Sequence, residues 1–208
     1  MIELYHCENA RSFRPLWALC ELGVKFDLKM LPFPPRVHRP DYLDINPLGT
    51  IPLMIDGQTR MTESSAICHY LAMQYGPTDL AVGPEEADYG NYLNWLSFGE
   101  ATLTFPQTIV LRYRRLEPEE RRNPQVAEDY ERWFNARLRV VDAVLSERDY
   151  LCRRFTMADI SVGYALMLAD DIGLSSRFKP SIRDYWERLR QREGFTAAIT
   201  AQTMSPSQ

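Results

Sequence analysis

The stretch Asn46-Pro47-Leu48-Gly49-Thr50-Ile51-Pro52-Leu53-Met54-Ile55-Asp56-Gly57 sets a turn against a strand, with an anomaly where they join. Asn46 to Gly49 carries turn residues, Ile51 to Ile55 reads as a strand, and Asp56-Gly57 turns the chain again. With Thr59 to Thr62 this makes a β-hairpin. Pro52 cannot donate to a sheet ladder, so its place at the start of a central strand needs a reason. One reason is a trans proline on a sheet edge. The other is a cis peptide that turns the backbone groups of Ile51 toward a ligand. Local sequence favours the first, because only about one X-Pro bond in twenty is cis in folded proteins.

Upstream, Leu4-Tyr5 ends a strand, Ser12 to Leu22 has apolar residues at helical spacing before Gly23, and Phe26 to Leu31 alternates like a strand. This is a β-α-β unit with parallel strands. Pro32, Pro34 and Pro35 open an irregular stretch. Downstream of the hairpin a helix runs from about Glu63 to Tyr75, with Ala66, Ile67, Tyr70 and Leu71 on one face. Gly76 to Pro84 is rich in turn formers and reads as a linker; beyond it the patterns are helical. Tyr89, Leu93, Leu96, Leu103, Ile109 and Val110 belong to one long helical region that Pro106 must bend. Val126, Tyr130, Trp133, Phe134, Leu138, Val141 and Leu145 form a second apolar stripe. Phe155 to Ile160 is a strong helix start: Thr156 caps, Asp159 reaches back to the cap's amide, and Phe155 packs on Ile160. A final helix is expected from Ser181 to Arg192, and the Ser205-Pro206-Ser207 tail is expected to fray.

With 208 residues, 45% of them hydrophobic, the chain can bury a core as one large or two small domains. A net charge of -4 argues against nucleic acid as the main partner, since that binding rests on excess Lys and Arg. There is no basic leader and no apolar run long enough for a bilayer, so the expected location is the cytoplasm. Cys7, Cys20, Cys68 and Cys152 form no CxxC pair, which points to neither a disulfide framework nor a metal site.

Met61-Thr62-Glu63-Ser64-Ser65 falls at a helix N-terminus, where free amides and the positive dipole end suit a carboxylate and Glu63 can hold an ammonium group. Those groups complement an amino-acid head group; taken in isolation, a plain helix cap with a first-turn acid is the better account of them. The order of the pieces is what discriminates. A β-α-β unit, then Asn46 to Leu53, then Thr62-Glu63-Ser64-Ser65-Ala66-Ile67, then a helical half with Phe155-Thr156-Met157-Ala158-Asp159-Ile160, resembles the glutathione transferase family over nearly the whole chain, in its bacterial type near serine-using, β-etherase-like members.

The resemblance implies a thioredoxin-like α/β domain over residues 1–76 (β-α-β then β-β-α), a linker over 77–84, an all-α helical bundle over 85–208, and a homodimer. It implies that Ile51-Pro52 is cis, with the Ile51 backbone pairing with the cysteinyl part of glutathione, and that Glu63 and Ser64 hold the γ-glutamyl head. His38, with Arg36 and Arg39, is the candidate for the glycine carboxylate. No metal is implied. The opening Tyr5-His6-Cys7-Glu8-Asn9-Ala10-Arg11-Ser12-Phe13-Arg14 offers three reactive side chains. Tyr5 belongs mainly to the core. Ser12 resembles the catalytic serine of serine-using relatives, although in another serine-using register the hydroxyl would fall on Ala10; Ser12 can also cap the helix, with Arg11 adding positive charge. Cys7 resembles the cysteine of thiol transferases, although Glu8 beside it disfavours a thiolate. Phe105, Ile109, Tyr113 and Met167 are candidates to line an electrophile pocket between the domains.

The expected function is therefore a cytoplasmic detoxifying glutathione transferase acting on a small hydrophobic electrophile, with glutathione as co-substrate and no nucleic acid or membrane partner. Ether-cleaving, dehalogenating and peroxide-reducing variants fit the same site. A Cys7-dependent glutathione thiol transferase and a non-enzymatic interaction scaffold are the alternatives.

Overall fold

The computed structural model describes residues 1–204; the tail expected to fray lies outside them. Two compact units divide the chain: Met1–Ala81 joined by the described residues from Arg190 on, and Val82–Leu189.

The first unit is built from β1 (Ile2–His6), α1 (Phe13–Leu22), β2 (Phe26–Met30), α2 (Pro35–His38), α3 (Tyr42–Ile45), β3 (Leu53–Asp56), β4 (Thr59–Met61) and α4 (Ser64–Gln74). The sheet order is β2-β1-β3-β4. β1 and β2 are parallel with Leu4 opposite Leu28, as a helical crossover requires. β3 runs antiparallel to β1, and β4 returns on β3 through Asp56-Gly57, where Gly57 takes the left-handed φ of 58° that the tight turn needs. Ile2, Leu4 and His6 alternate with the half-buried Glu3 and Tyr5, so β1 commits one face to the core. The stretch expected to be irregular instead folds into the two short helices α2 and α3. Pro35, preset for a helix and needing no amide partner, opens the first of them.

In the second unit α5 (Tyr89–Ser97) runs through a π-helical segment, Phe98–Thr104, into α6 (Phe105–Leu111) and a second π segment, Arg112–Leu116. The expected disturbance at Pro106 takes this form because a wider turn before the proline relieves the clash of its ring with the preceding carbonyls. α7 (Pro124–Leu145), α8 (Met157–Asp171) and α9 (Pro180–Arg190) complete the unit. α8 is buried nearly all round and forms its centre. At Gly99 an added Cβ would collide with the Ser161 backbone, so α8 lies directly against the π segment. On α7, Phe134, Leu138, Val141 and Leu145 are buried, but Trp133 is 42% exposed and covered on one side by the Arg137 guanidinium 4.3 Å from its ring centroid. Trp133 therefore leaves the stripe that its spacing assigned it to.

A further helix, α10 (Glu193–Met204), follows the one expected to be last, and it packs on α1 in the first unit. An added Cβ at Gly194 would come within 2.5 Å of Glu21, so the two helices approach closely. Phe195 packs edge-on against Trp17 and Phe13, with centroids 5.0 and 5.4 Å away. Arg192 forms a two-pronged ion pair with Glu21 at 2.8 and 2.9 Å. These contacts group α10 with the thioredoxin-like sheet, whereas the sequence reading ran the helical domain to residue 208. Among the described residues no helix is long and apolar enough to cross a membrane.

Candidate functional site

The loop between β1 and α1 is held by its own turns. Ala10 N–H donates to Cys7 O, Phe13 N–H to Ala10 O and Arg14 N–H to Arg11 O. Cys7, one of the three reactive side chains the stretch offered, has no exposed surface and lies among Leu31, Tyr42 and Leu53, with Tyr5, Ala10, Ile51 and Ile55 packed around it. Burial pushes its thiol up to about 12, so at neutral pH it is protonated and buried. That environment runs against the Cys7 thiol transferase reading. Tyr5 is likewise part of this cluster, its ring 5.5 Å from that of Tyr42, and burial raises its phenol.

Ser12 also has no exposed surface. Its hydroxyl accepts from Cys7 N–H at 3.3 Å and donates to Cys7 O at 3.5 Å, and it makes no cap bond to α1. The Ser12 hydroxyl thus forms a bridge inside the loop. The cause is local: Ser12 is already in helical conformation, which turns its side chain back toward β1 instead of forward over the helix start. Arg11 beside it is half-buried.

Ile51-Pro52 is a cis peptide. The turn ahead of it is anchored to α3, since Asn46 Nδ2 donates to Thr50 O at 2.8 Å, Tyr42 OH donates to the same carbonyl at 2.9 Å, and Leu48 N–H donates to Asn46 Oδ1. Gly49 closes the turn at φ 60°, where a Cβ would also meet Arg36 Cβ at 2.8 Å. At the start of α4, Glu63 is exposed and Ser64 is buried. Arg14, wholly buried on α1, donates from Nη1 to Ser64 Oγ at 3.1 Å.

These contacts draw three segments together: Ala10 and Ile51 both pack on Cys7, and Arg14 ties the start of α1 to the start of α4. His38 and Arg36 are exposed on α2, and Arg39 is paired with Asp41 at 2.8 Å. Among the pocket candidates, Phe105 and Ile109 lie one turn apart on α6, Tyr113 follows in the π segment, and Met167 is on α8; Phe105 is exposed and the others are half-buried.

Two parts of this arrangement were not singled out from sequence. Arg14 is one, although a basic residue seven positions after Cys7 was its signal. The other is Gln202 of α10, buried beneath the loop: its Oε1 accepts from Asn9 N–H at 3.2 Å and pairs with His6 Nε2 at 3.0 Å, and its Nε2 donates to Asn9 Oδ1 at 2.7 Å. Because Asn9 N–H marks Oε1 as the acceptor, His6 carries its proton on Nε2. Burial, outweighing that hydrogen bond, lowers His6 to about 4. No short-range signal marks Gln202, because its partners lie 193 and 196 residues away.

Comparison with known proteins agrees with the geometry. Residues 10–74 match the family model described as glutathione S-transferase, N-terminal domain. Glutathione S-transferase F10 of Arabidopsis thaliana is 30% identical over 203 residues, covering 92% of this chain and 93% of that protein. Glutathione S-transferase 3 of Schizosaccharomyces pombe is 35% identical over 103 residues; the match spans half of this chain and 43% of that one. Among solved structures, a sphingomonad glutathione S-transferase complexed with glutathione superposes with a TM-score of 0.85 at 25% identity, covering 98% of this chain and 100% of that one.

Proposed function

Because the chain belongs to the glutathione S-transferase family, we propose that it is an enzyme that holds glutathione, its co-substrate, as a thiolate and directs it at a small hydrophobic electrophile. The observation that carries this reading is the Arg14–Ser64 hydrogen bond. It links the segment that would hold the sulfur to the one that would hold the head group, and it occupies an acceptor site of Ser64 Oγ while leaving the O–H proton to donate. A γ-glutamyl carboxylate at the start of α4 is the natural acceptor, with the helix dipole behind it and the exposed Glu63 for the ammonium group. The Ile51 backbone, before cis Pro52, takes the cysteinyl part. His38, with Arg36, is the candidate for the glycine carboxylate.

The sulfur then lies at the β1–α1 loop. We assign its stabilisation to the backbone amides of Arg11 and Ser12, to the positive end of α1 and to the Arg11 charge; the Ser12 hydroxyl acts one step back by bracing the loop through Cys7. The thiol yields its proton to solvent, a sulfur electron pair forms the new C–S bond, and the leaving group departs with the electrons of the bond it gives up. For the electrophile, Phe105, Ile109, Tyr113 and Met167 are the candidates. A cytoplasmic, homodimeric, detoxifying role completes the reading.

Titration calorimetry with glutathione, paired with a thiolate absorbance titration, tests it. Wild type is expected to bind and to lower the thiol pKa, and Ser64→Ala to weaken binding roughly ten-fold, the size of one lost hydrogen bond to a charged group. Absence of binding at millimolar glutathione would overturn the reading and favour an interaction scaffold.

A further inference from the structure

Resting on the glutathione reading above, the geometry points to Gln202 as a positioning residue: α10 reaches beneath the β1–α1 loop and sets the orientation of the amides assigned above to the glutathione sulfur. The loop turns on Asn9, the one non-glycine with positive φ among the described residues, at 55°. A left-handed residue is tolerated by asparagine but needs holding, since the side chain costs about 1 kcal/mol there. Gln202 does the holding. Its carboxamide meets both the main-chain N–H and the side-chain oxygen of Asn9, at 3.2 and 2.7 Å, so the two groups form a closed pair with one orientation. The next residues in the chain are Ala10, Arg11 and Ser12, so a rotation at Asn9 propagates directly into the amides assigned to the sulfur.

Gln202 is itself fixed from the other side. His6, at the end of β1, donates to the same Oε1 and thereby selects one of the two amide rotamers. α10 cannot drift either, because Arg192–Glu21 and the Phe195–Trp17–Phe13 cluster clamp it to α1. The loop is thus held between β1 and a helix near the far end of the sequence. Gln202 touches neither glutathione nor the electrophile in this scheme, and its effect falls on thiolate stabilisation alone.

The test compares wild type, Gln202→Ala, Asn9→Gly and Thr203→Ala, using glutathione and 1-chloro-2,4-dinitrobenzene. Thr203 is exposed on the same helix and bonds only to its backbone, so it controls for disturbance of α10. Gln202→Ala is expected to raise the pKa of bound glutathione by about one unit and to lower kcat/KM at pH 6.5 roughly ten-fold, with the loss shrinking as pH rises and the glutathione Kd changed less than about two-fold. Asn9→Gly keeps the positive φ and loses the side-chain bond to Gln202 while its main-chain N–H bond remains, so it is expected to shift in the same direction by less; it serves if Gln202→Ala fails to fold. An unshifted thiol pKa in both variants, with wild type lowering it, overturns the role of Gln202 and leaves the glutathione reading intact. A wild type that neither binds glutathione nor lowers its thiol pKa overturns both.

Discussion

Burial pushes the Cys7 thiol up to about 12, so it stays protonated at pH 7. The side chain is worth more as packing than as a reagent, because it fills the space between the sheet and α3 under Ala10 and Ile51. Cys7→Ala is accordingly expected to keep glutathione conjugation at pH 7 within about two-fold of wild type while losing about 1 kcal/mol of stability from the cavity. Parallel rate and denaturation measurements check both halves, and abolished conjugation would restore Cys7 as the nucleophile. Ser12 has a similar history. Its residue type and its place before a helix were readable, but the direction of its hydroxyl followed from backbone conformation, which spacing does not encode.

α8 shows an element whose start the sequence specifies closely. Thr156 N–H donates to Asp159 Oδ2 at 2.8 Å, and Thr156 Oγ1 accepts from Ala158 N–H at 3.3 Å. The structure adds long-range partners: Asp159 Oδ1 also accepts from Leu151 N–H at 3.0 Å and from Tyr185 OH at 2.9 Å. Asp159→Ala would therefore remove a cap and strand several buried donors. We expect a loss of about 3–5 kcal/mol in urea unfolding, against about 1 kcal/mol for Thr156→Ala. Equal losses would mean that the cap alone matters. The basic run at Arg112, Arg114 and Arg115 pairs with Glu117, Glu131 and Asp171.

At the scale of the molecule, burying His6 links stability to pH. The neutral imidazole is retained in the folded protein down to about 4, while an unfolded histidine takes up a proton near 6.5. Between these values the unfolded state binds more protons, so the His6 contribution is present above 6.5 and lost as pH falls toward 4. Asp159, raised by burial to about 6, acts with opposite sign in an overlapping window, so the wild-type profile alone does not separate them. Comparison with His6→Gln, which keeps a donor for Gln202, does. Whatever this variant costs at pH 7, the deficit is expected to shrink by on the order of 2–3 kcal/mol at pH 4.5 in denaturant unfolding. A constant difference would mean that His6 titrates alike in both states.

Elements with a short-range cause were determined by the sequence itself. The β-α-β unit, the hairpin at Asp56-Gly57, the capped start of α8 and the order of the Asn46–Leu53 and Thr62–Ile67 motifs rest on periodicity, turn chemistry and spacing, which act over a few residues. Helix α10 gave no such signal, because its alanines, threonines and Gly194 have little amphipathic contrast and acquire meaning only against Glu21, Trp17 and Phe13. The same holds for Ser64 meeting Arg14 across 50 residues and for Gln202 meeting Asn9 across 193. A hydrogen bond depends on distance and angle at its own atoms, and for residues so far apart in sequence only the tertiary fold supplies them.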